Sequence, residues 1–105
     1  SVRELKALLD ENTDLVLLDV RQQAEADVAV IPGSQLIPLA SIESGDAIER
    51  IRSLASGQTV YVHCKLGGRS AKAVDLLTRF GIQAVNVTGG IDAWSQEVDA
   101  SVPRY

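Results

Sequence analysis

The chain has one cysteine, one histidine, one tryptophan and no methionine among its 105 residues. A single cysteine excludes an internal disulfide and any metal site built from several thiolates. It fits a reducing compartment, the cytoplasm. Aromatic residues make up only 4% against 46% hydrophobic residues, so the expected core is aliphatic. The apolar run Leu15–Leu18 is far shorter than the ~20 residues a membrane helix needs, and no membrane partner is expected. The net charge is −4 and no basic run appears, which argues against nucleic acid as a partner. No secretory or transit pattern opens the chain. The lack of an initiator methionine fits a domain cut from a longer protein, and the length fits one domain over 1–105.

What is present alternates between two kinds of local pattern. Ser1-Val2-Arg3-Glu4 has the form of a capping box, followed by Leu5, Leu8 and Leu9 at helical spacing. A turn is expected over Asn12–Asp14. Leu15 to Val20 reads as a strand buried on both faces, interrupted in polarity only by Asp19. The stretch 21–30 follows neither pattern. Ile31-Pro32-Gly33-Ser34 is a turn, and Gln35 to Leu39 reads as a short strand ending at Pro38. A helical turn is expected over 40–45. A helix over 46–55 is predicted from Ile48, Ile51, Leu54 and Ala55. Thr59 to His63 is a strand, and 70–80 a helix with Ala71, Val74, Leu76 and Leu77 inward and Gly81 past its end. Ala84 to Val87 is a further strand, and Ile91 to Gln96 a last helix packing Trp94. Strands alternating with helices predict an α/β fold, with a parallel sheet covered on both faces. Ligands of such sheets sit beyond the carboxyl ends of the strands, where Asp19 and Cys64 fall.

Cys64-Lys65-Leu66-Gly67-Gly68-Arg69 joins the strand ending at His63 to the helix opening near Ser70. A helix N-terminus carries unpaired N–H groups and about half a positive charge. A tight loop adds further inward N–H groups, making an anion nest. A thiol there ionises easily, and the thiolate is the nucleophile. A lone cysteine is more often an inert buried thiol, but its position between Lys65 and Arg69 favours Cys64 as a catalytic nucleophile. Gly67 and Gly68 turn the chain and let N–H groups close on the sulfur. Lys65 is either a solvated surface charge or a steering group for an anionic donor. Arg69 opposes the helix dipole, which points to a purpose: binding an oxyanion in a fork, or fixing the loop through a carboxylate such as Glu25. Asp19 and Arg21 read as an ion pair supporting neighbouring loops. His63, one strand residue before the thiol, should point to the opposite face and serve the core or a hydrogen bond. With the only histidine so placed, a protease-like triad is excluded.

Together these segments resemble the rhodanese (sulfurtransferase) family over nearly the whole chain. Leu17-Leu18-Asp19-Val20-Arg21 is similar to its first signature, and Ile31-Pro32-Gly33-Ser34 with Ile37-Pro38-Leu39 to its IPGA…IPL segment. Cys64 to Ser70 matches the C-x-x-G-x-R-[ST] active-site loop, and Gly89-Gly90-Ile91-Asp92-Ala93-Trp94 the closing GG-x-x-AW. The tail from Val98 to Tyr105 resembles the end of rhodanese domains fused to adenylyltransferases of molybdenum-cofactor and thiolation pathways. Family members often carry an aromatic near Ala26 and Gly-His before Ile-Pro. Ala26, Ala29 and Val30 stand there instead, so altered packing beside the site is expected, with the sulfur chemistry retained.

The resemblance implies a rhodanese-like fold, with a central parallel sheet of about five strands and helices on both faces. It implies transfer of sulfane sulfur from a small anion such as thiosulfate, through a Cys64 persulfide, to cyanide, a thiol or a protein C-terminus that becomes a thiocarboxylate. No metal or organic cofactor is required. Lys65, Leu66, Gly67, Gly68, Arg69 and Ser70 would bind donor and persulfide, with Asp19 and Arg21 supporting them. Two alternatives come from other classes. One is a relative of the C-x5-R phosphatases, although Cys64 to Arg69 spans only C-x4-R. The other is a rhodanese-like module for protein binding or regulation, although such modules often lack the cysteine.

Overall fold

The computed structural model describes residues 1–11 and 14–105. The apolar run at Leu15 lies inside a four-stranded parallel sheet. Helix α1 (Val2–Glu11) leads to strand β1 (Val16–Asp19), α2 (Gln23–Ala26), β2 (Gln35–Leu36), α3 (Leu39–Glu43) and α4 (Ile48–Ala55). Then come β3 (Val60–His63), α5 (Gly68–Arg79), β4 (Ala84–Asn86) and α6 (Gly90–Glu97). The strand order is β2-β1-β3-β4, with Asp19 in register with His63 and Val62 with Asn86. The carboxyl ends of β1, β3 and β4 therefore share one edge.

Alternation along the strands divides the core into two layers. Val16, Leu18, Val20, Val60 and Val62 face α3, α4 and α5 through Ile42, Ile48, Ile51, Ala73 and Leu77. Leu17 and Val87 face α1 and α6 through Val2, Leu5, Ile91 and Trp94. All four residues of β1 are buried, as expected for a central parallel strand. Glu4 N–H donates to Ser1 Oγ at 3.3 Å while the Ser1 amino group reaches Glu4 Oε1 at 3.2 Å, so the capping box forms. Helix α5 ends as a Schellman motif: Ile82 N–H donates to the Leu77 carbonyl and Gly81 N–H to that of Thr78, each at 3.0 Å, with Gly81 at φ +76°.

Several expectations change. The sheet has four strands among the described residues, where the resemblance implies about five. Strand β2 stops at Leu36, although Ile37 and Leu39 N–H still donate to the Asp19 and Val20 carbonyls at 2.8 and 3.0 Å; Pro38 then precedes α3, which Leu39 opens. In α5 the buried stripe runs through Ser70, Ala73 and Leu77, which leaves Ala71 exposed. The unassigned stretch after Arg21 contains α2, where Glu25 accepts the Gln22 N–H at 3.2 Å. Of the turn expected over Asn12–Asp14, Asn12 and Thr13 lie outside the described residues.

Candidate active site

Cys64 follows the last residue of β3, and Gly67 caps α5, so the intervening loop closes on the sulfur. Gly67 N–H donates to Cys64 Sγ at 3.1 Å, and the Ser70 hydroxyl lies 3.3 Å from the same atom. This closure needs Gly67 at φ +127°, which a residue with a Cβ rarely adopts. Gly68, by contrast, has open space where a Cβ would sit. The loop is held from outside by α6. Ile91 N–H donates to the Cys64 carbonyl at 2.9 Å and Asp92 N–H to the Lys65 carbonyl at 3.1 Å. Both carbonyls thus point away from the sulfur. The approach requires glycine at position 90, where a Cβ would lie 2.3 Å from the Cys64 carbonyl oxygen.

Burial of Cys64 opposes its ionisation. The Ser70 hydroxyl and the backbone N–H groups of Ser70, Gly67 and Leu66 outweigh that penalty, and the thiol pKa falls below its ordinary value. Leu66 stands at the rim, 65% exposed.

Of its two expected partners, Arg69 meets the carboxylate. Its guanidinium grips Glu25 in a fork, with Nη2 at 2.8 Å from Oε2. The Arg69 fork, opposed by partial burial and assisted by the Tyr105 hydroxyl, holds the Glu25 carboxyl down at about 2. Arg69 is raised in turn, chiefly by that same fork. Tyr105 joins this pair to a second one. Its hydroxyl donates to Glu25 Oε2 at 2.7 Å and accepts from Arg21 Nη1 at 2.8 Å. Its ring lies 4.6 Å beneath the Lys65 ammonium, a cation–π contact at the rim of the loop.

Asp19 and Arg21 form the expected ion pair, and both are buried. Arg21 Nε and Nη2 reach the two Asp19 oxygens at 2.9 and 2.6 Å, and Nη2 also donates to the Ala29 carbonyl at 2.7 Å. Arg21 thereby ties β1 to the α2 segment that presents Glu25. His63 lies on the opposite face from Cys64, fully buried, and neither ring nitrogen has a hydrogen-bond partner among the described residues. Burial pushes it down to about 4, leaving it neutral and part of the core.

Two contacting residues escape the sequence patterns. Asn86 ends β4 and accepts the Ser70 hydroxyl at 2.6 Å. Its signal was a polar residue between Val85 and Val87 at the carboxyl end of a strand. Tyr105 had no local signal, since its partners lie 80 and 84 residues away.

Comparisons with known proteins place this fold in a family. The family model for the rhodanese-like domain matches residues 1–97. The probable adenylyltransferase/sulfurtransferase MoeZ of Mycobacterium tuberculosis is 38% identical over 104 residues, which are 98% of this chain and 26% of that protein. The chain spans less than half the length of this curated relative and of others it matches. Among solved structures, SSP1007 of Staphylococcus saprophyticus superposes with a TM-score of 0.81 at 35% identity, covering 98% of this chain and 95% of that one. The human single-domain sulfurtransferase TSTD1 gives 0.73 at 28% identity, covering 90% and 92%. With the family model spanning nearly the whole chain and the same fold in these relatives, the chain belongs to the rhodanese-like domain family.

Proposed function

We propose that this chain is a sulfurtransferase that carries sulfane sulfur on Cys64. The Cys64 thiolate attacks the outer sulfur of a donor such as thiosulfate. A Cys–S–S bond forms, the donor's S–S bond breaks, and sulfite leaves with the electron pair. The outer persulfide sulfur is then the anion that the loop surrounds, with Gly67 N–H already 3.1 Å from Sγ as the observation that carries the reading. Donors fixed in place before charge develops stabilise it without reorganising. A nucleophile such as cyanide takes the outer sulfur, giving thiocyanate and restoring the Cys64 thiolate.

Lys65 and Leu66 at the rim would meet the donor, with the lysine attracting its charge. Gly67, Gly68 and Ser70 would line the persulfide. Arg69 acts through its fork with Glu25 to set the start of α5 rather than by holding a phosphate. That engagement, together with the short C-x4-R spacing, disfavours phosphatase chemistry. The relatedness to a probable adenylyltransferase/sulfurtransferase supports a further acceptor, a protein C-terminus activated as an acyl-adenylate, which would leave as a thiocarboxylate.

The test is a mass measurement. Incubation with thiosulfate should add one sulfur atom to the chain, and cyanide should remove it. Cys64→Ser should abolish both the adduct and thiosulfate:cyanide turnover. Turnover that persists in Cys64→Ser overturns the proposal.

A further inference from the structure

The Ser70 hydroxyl has one proton and three acceptors within reach: Asn86 Oδ1 at 2.6 Å, the Gly67 carbonyl at 3.1 Å and Cys64 Sγ at 3.3 Å. It can donate to only one of them at a time. The orientation of the Asn86 amide follows from its other contact: Nδ2 donates to the Gly67 carbonyl at 3.3 Å, which turns Oδ1 toward Ser70. The Gly67 carbonyl is the weaker competitor, because it already accepts the Ala71 N–H at 3.0 Å. In the shortest arrangement the Ser70 hydroxyl donates to Asn86 Oδ1, and its proton is withheld from Cys64 Sγ, whose negative charge it would otherwise stabilise. That arrangement favours the neutral sulfur. To support a thiolate, Ser70 must turn its proton from Asn86 toward Sγ.

We infer that Asn86 is a positioning residue for the reactive sulfur: by competing for the Ser70 proton, it restrains how strongly the loop stabilises negative charge on Cys64. The inference rests on Cys64 being the reactive thiol of the proposed function, but its test reads the thiol directly and needs no sulfur transfer. Asn86 is neutral, so it acts only through the direction of this one hydrogen bond. The charged groups around the sulfur come from other elements. They are Lys65 on the loop over the titratable Tyr105 of the tail, Arg69 of α5 with Glu25 of α2, Asp92 of α6 with Arg104, and the Asp19–Arg21 pair beyond β1. The hydrogen bonds of the Asn86 side chain go to Ser70 and Gly67. Substituting Asn86 therefore leaves those charges where they are. His63 faces the other side of the sheet and stays neutral.

The sign of the effect separates this role from a merely structural one. Loss of a loop-building contact would raise the Cys64 pKa toward that of a free thiol, about 8.5. Loss of a competitor lowers it. The experiment is the pH dependence of iodoacetamide alkylation in wild type, Asn86→Leu, Ser70→Ala and the double variant. Asn86→Leu should move the midpoint down by about half a unit to one unit, the worth of one redirected hydrogen bond. Ser70→Ala should move it up, and adding Asn86→Leu to Ser70→Ala should change nothing further. Asn86→Ala serves as a second variant without added bulk and should shift in the same direction. An unchanged or raised midpoint in the Asn86 variants refutes the inference, as does a shift that survives in the Ser70→Ala background. Loss of the near-UV signal in both Asn86 variants would assign the residue to loop structure and equally refute it. Absence of thiosulfate:cyanide activity in wild type, with the midpoints as predicted, would count against the sulfurtransferase reading alone.

Discussion

Glu25→Gln isolates the carboxylate that anchors Arg69, and its consequence can be worked from the structure. In the folded chain the Glu25 carboxyl is held at about 2, against 4.5 ordinarily. A gap of about 2.5 units, at 1.36 kcal/mol each, sets a ceiling of about 3.4 kcal/mol on what the charged form contributes to stability. Glu25's side chain is 20% exposed and that of Arg69 37%, so water and salt screen the pair. A net loss of about 1–2 kcal/mol in Glu25→Gln is the resulting expectation. The sign in pH follows from the depressed folded value. The contribution is present in full above the unfolded value of 4.5 and is lost as pH falls through about 2. Urea titrations of both proteins at a series of pH values read it as a difference. That difference should be constant from about pH 6 to 8, and more than half of it should be gone by about pH 3. Equal stability at pH 7, or a difference that persists undiminished at pH 3, refutes the assignment of Glu25 as an ionised anchor. Kinetics provide a second reading, because a released Arg69 no longer fixes the first turn of α5, and thiosulfate:cyanide turnover should fall.

Two further substitutions test the frame around the loop. Asp19→Ala strands the buried Arg21 guanidinium with only neutral partners, and chemical denaturation should register a loss of about 3–5 kcal/mol; a loss below about 1 kcal/mol would mean the pair contributes little. Gly90→Ala would bring a Cβ to 2.3 Å from the Cys64 carbonyl and force α6 away from the loop. It should cost about 1–3 kcal/mol and raise the alkylation midpoint of Cys64 toward about 8.5, whereas an unchanged midpoint would show that α6 does not hold the loop.

Much of this protein is written at short range. The continuous apolar run from Leu15 is consistent with a strand buried on both faces, which β1 is, and α1 is set by Ser1, Glu4 and its leucines. Gly81 stops α5 through bonds that span a single turn. The placement of the lone cysteine between a strand and a helix N-terminus was equally legible, because it depends only on where two local patterns meet. An acidic Cys64 was the expectation from that junction, and the Ser70 hydroxyl together with the loop's N–H groups lowers the thiol pKa against the opposing effect of burial. The pairing of Asp19 with Arg21 needed a separation of only two residues, and just past the end of β1 the Arg21 N–H also donates to Asp19 Oδ1 at 3.1 Å.

What tertiary structure decided are the choices between partners that sequence leaves equivalent. Arg69 had an oxyanion or a carboxylate open to it, and the fold brought Glu25 across 44 residues to occupy the guanidinium. Asn86 meets Ser70 because β4 pairs beside β3 in a register that ends both strands at one edge. Tyr105 reaches Arg21, Glu25 and Lys65 only after α6 turns the tail back across the loop. Periodicity and capping are properties of a few successive residues, and so they are encoded locally. Contacts closed over tens of residues depend on how the layers stack, and no single stretch of the chain carries that information.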